Sequence, residues 1–343
     1  MGKTVLVTGV ARHLGARFAA RLAARPGIDR VVGLDSGEPW GGMAADGVEY
    51  VRAELRRPAV ARVLAEYAVD TVVHLDVSAG TGSRAAAKEN NVIGTMQLLG
   101  ACQKAPGLHR LVVKSTTAVY GSAPRDPAVF GERTLPRALP RDGFGKDATE
   151  VEGYVRGFAR RRADVAVTVL RFANIVGPAG DTPLSDYFAL PVLPTVLGRD
   201  PRLQFVHEDD AVDILHRAAT EQARPGTYNV AGEGVMLLSQ CARRLGRPTV
   251  PLLGPALGLA AGVARRTGLA DISPEQVRLL SHGRVVSTGQ LRETFGWEPG
   301  RSTPEAFADF AAAQTAGLLP PGRLAAATDR LADLLTRQNP TRS

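Results

Sequence analysis

Cysteine is almost absent: Cys102 and Cys241 are the only two in 343 residues, far apart and without partner spacing. Neither a disulfide framework nor a metal-ligand pattern can be built from them, so no metal is expected and a reducing, cytoplasmic setting fits. Aromatic residues make up only 5% of the chain, and no helix interleaves them with basic residues. The net charge of +8 therefore favours small anionic partners over a nucleic-acid surface. The densest basic run, RGFARRRAD, falls where an amphipathic helix ends and reads as a solvated face. Long apolar runs are missing too. The most apolar stretch, PLLGPALGLAAGVARR, is too short for a membrane span, begins with proline and reads as a buried helix. The start, MGKTVLVTGV, reaches Thr8-Gly9 before a signal-peptide core could form. There is no internal repeat and no low-complexity linker.

What remains is a globular composition, 44% hydrophobic and 22% charged, long enough for about two domains. Five short aliphatic runs read as strands: KTVLVT, RVVGLD, DTVVHL, RLVVKST and VAVTVLR. Amphipathic stretches between them, His13 to Ala24, Ala59 to Ala68, Arg84 to Ala105 and Lys146 to Arg162, read as helices. Strands apolar on both faces and alternating with helices predict an α/β fold with a doubly wound parallel sheet, a Rossmann fold. Residues 1–173 are expected to form it, with 203–231 returning to it. Residues 174–202 and 232–320, rich in Pro and Gly connections, are expected to form a smaller substrate-binding lobe, and 321–343 a C-terminal helix.

Ligands of such sheets sit beyond the carboxyl ends of the strands. There, VLVTGVARHLGARFAARLA is a strand, a glycine turn and a helix. Gly9 suits the tight turn and Gly15 the close packing of helix on sheet, while the helix N-terminus offers amides to a pyrophosphate. The second strand ends in Asp35, twenty residues beyond Gly15, placed for ribose hydroxyls and favouring NAD. The middle glycine of the pattern is replaced by Arg12, whose Cβ crowds the pyrophosphate face. Arg12 also offers a grip on phosphate, a 2′-phosphate included, so NADP stays open beside NAD.

VTGVARHLG, NNVIGTMQLLGAC, KSTTAVYG, GKDATEVEGYV, LRFANIVGP, FVHEDDAVDIL and GTYNVAGEG occur in that order along nearly the whole chain. In them the chain resembles the extended short-chain dehydrogenase/reductases, in the NAD-dependent epimerase/dehydratase family of UDP-glucose 4-epimerase-like proteins, actinobacterial type. The resemblance implies an NAD(P)-dependent oxidoreductase or epimerase acting by hydride transfer on a nucleotide sugar or related hydroxyl. It implies a homodimer as well, through residues 84–105 and 146–162. Carried over residue by residue, the hydroxyl group is Thr116, the lysine Lys146 and the asparagine Asn91. Gly9, Arg12, Leu14, Gly15, Asp35, Glu54, Leu55, Leu75 and Lys146 are then expected at the cofactor. Thr116, Tyr120, Asn174, Arg202 and His207 are expected at the substrate, Arg202 standing beside Leu203 in the slot where many members carry an arginine. Each has a plainer reading. Thr116 can simply cap a strand, Asn91 can satisfy backbone groups in a helix bend, and His207 can be a structural histidine. Asp209 and Asp210 suit the N-terminus of the helix that follows.

The family's catalytic tyrosine belongs four residues before the lysine, one helical turn away. That position is Asp142. A phenol of free pKa about 10 can be tuned by a neighbouring ammonium, whereas a carboxylate of free pKa about 3.9 beside lysine stays ionised, a weak base and a poor acid. Tyr120 and Tyr154 lack the spacing to Lys146. Two readings follow: an enzyme with an atypical site in which Asp142 or Thr116 helps move the proton, or an NAD(P)-binding sensor or scaffold.

Overall fold

The computed structural model describes residues 3–42, 46–79, 84–135, 139–179, 182–253, 258, 262 and 273–314. The apolar runs become strands β1 (Lys3–Thr8), β2 (Ile28–Asp35), β3 (Val48–Arg52), β4 (Thr71–His74), β5 (Arg110–Thr116) and β6 (Ala166–Phe172). Short strands follow: β7 (Asn174–Val176), β8 (Leu193–Val196), β9 (Arg202–Leu203) and β10 (Phe205–His207). Then come β11 (Gly226–Val230), β12 (Met236–Leu237) and β13 (Thr249–Leu252). Seven of these form one sheet in the order β11-β6-β5-β4-β1-β2-β3, and every pairing in it is parallel.

The helices are α1 (His13–Ala23), α2 (Ala59–Glu66), α3 (Arg84–Lys88), α4 (Thr95–Gln103), α5 (Gly143–Arg161), α6 (Pro183–Ala189) and α7 (Glu208–Thr220). After them come α8 (Leu238–Leu245), α9 (Pro274–His282), α10 (Gly289–Phe295) and α11 (Thr303–Ala313). Alternation along each strand sends Val5, Val7, Val73, Val112 and Leu170 to one face, where they pack with α1, α7 and α10. Leu6, Val72, Leu111, Val113 and Val169 point the other way, against α2, α4 and α5. A third core, with Phe188, Phe205, Phe307 and Phe310 in mutual aromatic contact, belongs to the smaller lobe.

Several expectations shift. The stretch from Arg84 to Ala105 is not one continuous α-helix, because a π-helical turn over Glu89–Gly94 separates α3 from α4. Helix α5 begins at Gly143 rather than Lys146, with Asp142 in extended backbone before it. The smaller lobe is interrupted: Leu291, Phe295 and Trp297 pack into the core of the α1 face, so that part of residues 232–320 returns to the main sheet. Leu203 and Phe205, placed at the start of the returning segment 203–231, instead join the lobe core. The expected helix over 321–343 and most of the apolar PLLGPALGLAAGVARR stretch lie outside the described residues.

Candidate active site

At the end of β1 the chain turns on Gly9, whose φ of +82° suits glycine. A Cβ there would lie 2.9 Å from the Asp76 nitrogen, and one on Gly15 would lie 2.1 Å from the Gly9 oxygen. Both positions require glycine, which brings the N-terminus of α1 directly over the sheet rim. Arg12 precedes that helix in extended backbone and offers it no side-chain cap, so the first-turn amides keep their capacity for an anion. Asp35 is pinned beside the turn: its Oδ2 accepts from Ala11 N–H at 3.0 Å and its Oδ1 from Gly37 N–H at 3.1 Å. A carboxylate has about four acceptor positions, so it retains acceptors for ribose hydroxyls. This end of the site fits a dinucleotide. Leu14 packs half-buried against the α1-face core, Leu75 lies within that core, and Leu55 is buried on the other face. Glu54 stands at the surface, its Oε2 3.3 Å from Arg56 and 3.5 Å from Arg57.

The same rim gathers the catalytic candidates. Thr116 closes β5 and its hydroxyl accepts from Ala118 N–H at 3.1 Å, capping the short 3₁₀ turn Thr117–Tyr120. Helix α5 sits tightly on that turn, since a Cβ on Gly145 would meet the Ala118 oxygen at 2.6 Å. Lys146 follows at once, partly exposed, with its Nζ 3.8 Å from Glu150. Asn91 lies in the π turn and is buried. Its Oδ1 accepts from Ser78 N–H at 3.1 Å and its Nδ2 donates to Ser78 O at 2.8 Å, with Asp147 Oδ2 at 3.4 Å. Asn91 thus fastens the loop after β4 to the helix that carries Lys146. The Asp142 carboxylate is exposed and paired with Arg278 of α9.

Substrate-side candidates separate. Asn174 is half-buried on β7, and its side chain has no hydrogen-bond partner among the described residues. Tyr120 is buried and stacked on Phe130 with ring centres 4.8 Å apart. Its hydroxyl donates to Asn229 at 2.9 Å and accepts from Arg171 at 2.8 Å, which corrects its expected place at the substrate to one inside the core. His207 is likewise buried, its Nδ1 accepting from Asp209 N–H at 3.1 Å and its Nε2 3.6 Å from Asp309, so it caps α7 at the lobe junction. Arg202 donates to Ala128 O at 3.1 Å and lines a polar cleft of about 350 Å³ with Arg199, His282 and Arg284.

Four further residues stand at the rim, to which the sequence assigned no role. Arg284 reaches from the smaller lobe to donate to Thr117 Oγ1 at 3.2 Å and to Gly121 O at 3.1 Å, and burial depresses its pKa. Glu275 accepts from Gly145 N–H at 2.8 Å, and burial raises its carboxyl pKa. Asp76 and Lys114 complete the set. Burial pushes Asp76 up to about 7 and Lys114 down to about 8. A charge at the mouth of an otherwise apolar parallel strand, as in HLD and VVKS, is the signal that could have found the last two. Among the described residues no cluster of His, Cys, Asp or Glu could hold a metal ion, and no helix is long and apolar enough to cross a membrane.

A model of the NAD dependent epimerase/dehydratase family matches residues 5–231. An uncharacterized protein of Mycobacterium tuberculosis is 46% identical over 313 residues, covering 90% of this chain and 83% of that protein. The UDP-glucose 4-epimerase of Streptomyces lividans is 27% identical over 88% of this chain and 93% of its own length. Among solved structures, a UDP-glucose 4-epimerase from Thermotoga maritima with UDP-glucose superposes with a TM-score of 0.70 at 19% identity, covering 90% of this chain and 98% of that one. The Bordetella bronchiseptica enzyme WbmG in complex with NAD and UDP gives a TM-score of 0.69 at 18% identity, over 90% of this chain and 93% of that one.

Proposed function

Because the chain belongs to the NAD dependent epimerase/dehydratase family, we propose that it binds NAD and transfers hydride at a hydroxyl of a nucleotide sugar or a related metabolite. NAD, when bound, supplies the hydride acceptor and donor. Everything else falls to this chain's own residues. Gly9, Gly15 and the uncapped start of α1 receive the diphosphate, and Asp35 accepts from the adenosine ribose. Thr116 orients the reacting hydroxyl, with the Lys146 ammonium behind it, and Asn91 keeps the loop after β4 and the start of α5 in register. Asn174, whose amide has no partner among the described residues, is the polar group best placed for the substrate diphosphate. The molecule is a homodimer through α3, α4 and α5.

The observation that carries this reading is the Asp35 carboxylate held by Ala11 and Gly37 amides beside a turn that only glycine can make. Incubation of the purified protein with NAD and a panel of UDP-sugars tests it. Bound nicotinamide and a change of sugar configuration or oxidation state are expected, both lost in Asp35→Ala, and turnover alone lost in Thr116→Val. Failure to take up either oxidised or reduced nicotinamide nucleotide would overturn the reading.

A second reading rests on Asp142. Its carboxylate is occupied by Arg278 and has only acceptor oxygens, so proton transfer lacks its usual group. A cofactor-binding protein without turnover has the same pocket. Cofactor binding with no product, unchanged by Lys146→Met, supports this second reading.

A further inference from the structure

Three charged side chains stand together at the carboxyl rim of three neighbouring strands. Arg12 follows β1, Asp76 lies just past β4, and Lys114 stands near the end of β5. In the sheet β4 lies between β1 and β5, with Thr8 opposite His74 and His74 opposite Val113, so the strand ends are level. Arg12 Nε is 4.0 Å from Asp76 Oδ1. The glycine turn presses on the same point, the Asp76 nitrogen lying 2.9 Å from where a Gly9 Cβ would be. Successive side chains on a strand point to opposite faces. Ser115 turns towards α5 to donate to Glu152 at 2.7 Å, so Lys114 and Thr116 share the other face. The Lys114 ammonium makes no hydrogen bond or ion pair among the described residues.

In a doubly wound sheet this turn is where the diphosphate of a dinucleotide lies. Here its negative charge meets two cations and one carboxylate at a partly exposed rim, the Arg12 side chain 40% and the Asp76 side chain 22% exposed. An ionised Asp76 repels the ligand, and a neutral one donates a hydrogen bond to it. We propose that Lys114 is a diphosphate-binding residue of the cofactor site, and that Asp76 must carry a proton for the diphosphate to bind. This rests on the cofactor reading above and extends it. Lys114 supplies the contact that is lost where Arg12 replaces the middle glycine, and Asp76 sets the pH range in which the site fills. The groups acting on Asp76 are Asp35 from β2, Arg12 from the glycine turn and Lys114 from β5. Burial comes first in raising Asp76 to about 7, and Asp35 adds to it; burial comes first in lowering Lys114 to about 8, and Arg12 adds to it. Bound diphosphate raises both further, so each group takes up a proton on binding above its own free value.

Calorimetric titration of the full chain with NAD between pH 6 and 9, in buffers of different ionisation enthalpy, tests this. Affinity should be level below about 7, fall about tenfold per pH unit above it, and fall more steeply above about 8, with net proton uptake. Asp76→Asn should bind about tenfold tighter at pH 8, with a curve level up to about 8. Lys114→Met should weaken binding about tenfold or more at pH 7. Lys114→Arg, which keeps a cation, should restore binding and remove only the steeper limb, and it remains informative if the methionine variant fails to fold. A level curve in the wild type, or an unchanged affinity in Asp76→Asn at pH 8, overturns the proposal while leaving the cofactor reading intact. No binding by wild type or Asp76→Asn at any pH brings down the cofactor reading and this proposal with it.

Discussion

Asp142, at the position where the family resemblance implies a tyrosine, makes only a surface contact among the described residues. Its carboxylate is 52% exposed and answers Arg278 across the lobe boundary, a pair worth under about 1 kcal/mol at such exposure. Restoring a phenol therefore removes little. Asp142→Tyr is expected to raise turnover on a UDP-sugar panel by about a hundredfold, the lower end of what general acid–base groups contribute. Its melting temperature should shift by only a few degrees. Equal turnover in the two proteins would mean that the missing phenol is not what limits the reaction. Asp35 could be named from its place at the end of a strand twenty residues beyond Gly15, whereas Thr116 and Lys146 were named only through the order of motifs in the family resemblance. A structural role for His207 was open in the sequence, but the contacts of Tyr120 and Arg202 were not, because their partners Asn229 and Ala128 lie far along the chain. No local pattern records such pairings.

Strand-level reading succeeded where both faces of a strand are buried. The strands KTVLVT and RLVVKST were found with the boundaries the structure gives them. It missed β3, an edge strand whose VEYVR carries charges at Glu49 and Arg52, and β11, whose GTYNV has only one aliphatic residue. β4 holds a residue that ties elements together. His74 is fully buried, its Nδ1 2.7 Å from Thr8 Oγ1 on β1 and its Nε2 2.8 Å from Thr95 Oγ1 on α4. Burial, with Lys114 adding to it, drops its pKa to about 3. The unfolded chain binds a proton here near pH 6.5 and the folded one only near 3, so stability present above 6.5 is lost as pH falls between these values. Between pH 6.5 and 5 the loss should approach about 2 kcal/mol, read by denaturant titration. His74→Gln should be less stable at pH 7.5 and show a shallower acid slope; an equally steep slope would assign the acid sensitivity elsewhere. Gly145 couples helix to strand rim in the same way. Gly145→Ala drives a methyl into the Ala118 oxygen and Glu275, and should cost about 1–3 kcal/mol while shifting Lys146 and lowering turnover.

At the scale of the whole molecule, the smaller lobe is held to the sheet by polar side chains aimed at the site itself. Arg284 grips the turn after Thr116, and Glu275 holds the first turn of α5. Apolar groups are presented to solvent around α4 and α5. Ile93, Met96 and Gly100 recur at the spacing of one helix face, Ile93 and Met96 each 38% exposed, and no atom lies within 4 Å of where a Gly100 Cβ would stand. Tyr154, 41% exposed, adds an aromatic ring from α5, which packs against α4. Aliphatic and aromatic groups around a glycine gap suit close helix-on-helix contact with a second copy. Light scattering of the wild type should give the mass of a dimer, and Met96→Lys combined with Tyr154→Lys should give a monomer that still binds NAD. A monomeric wild type at micromolar concentration would contradict the homodimer. The two outcomes bear on catalysis differently, because α5 also carries Lys146. If the variant is monomeric and its NAD affinity is kept while turnover falls, contact between copies holds the start of α5 against Thr116; if turnover is kept, Arg284 and Glu275 do so alone.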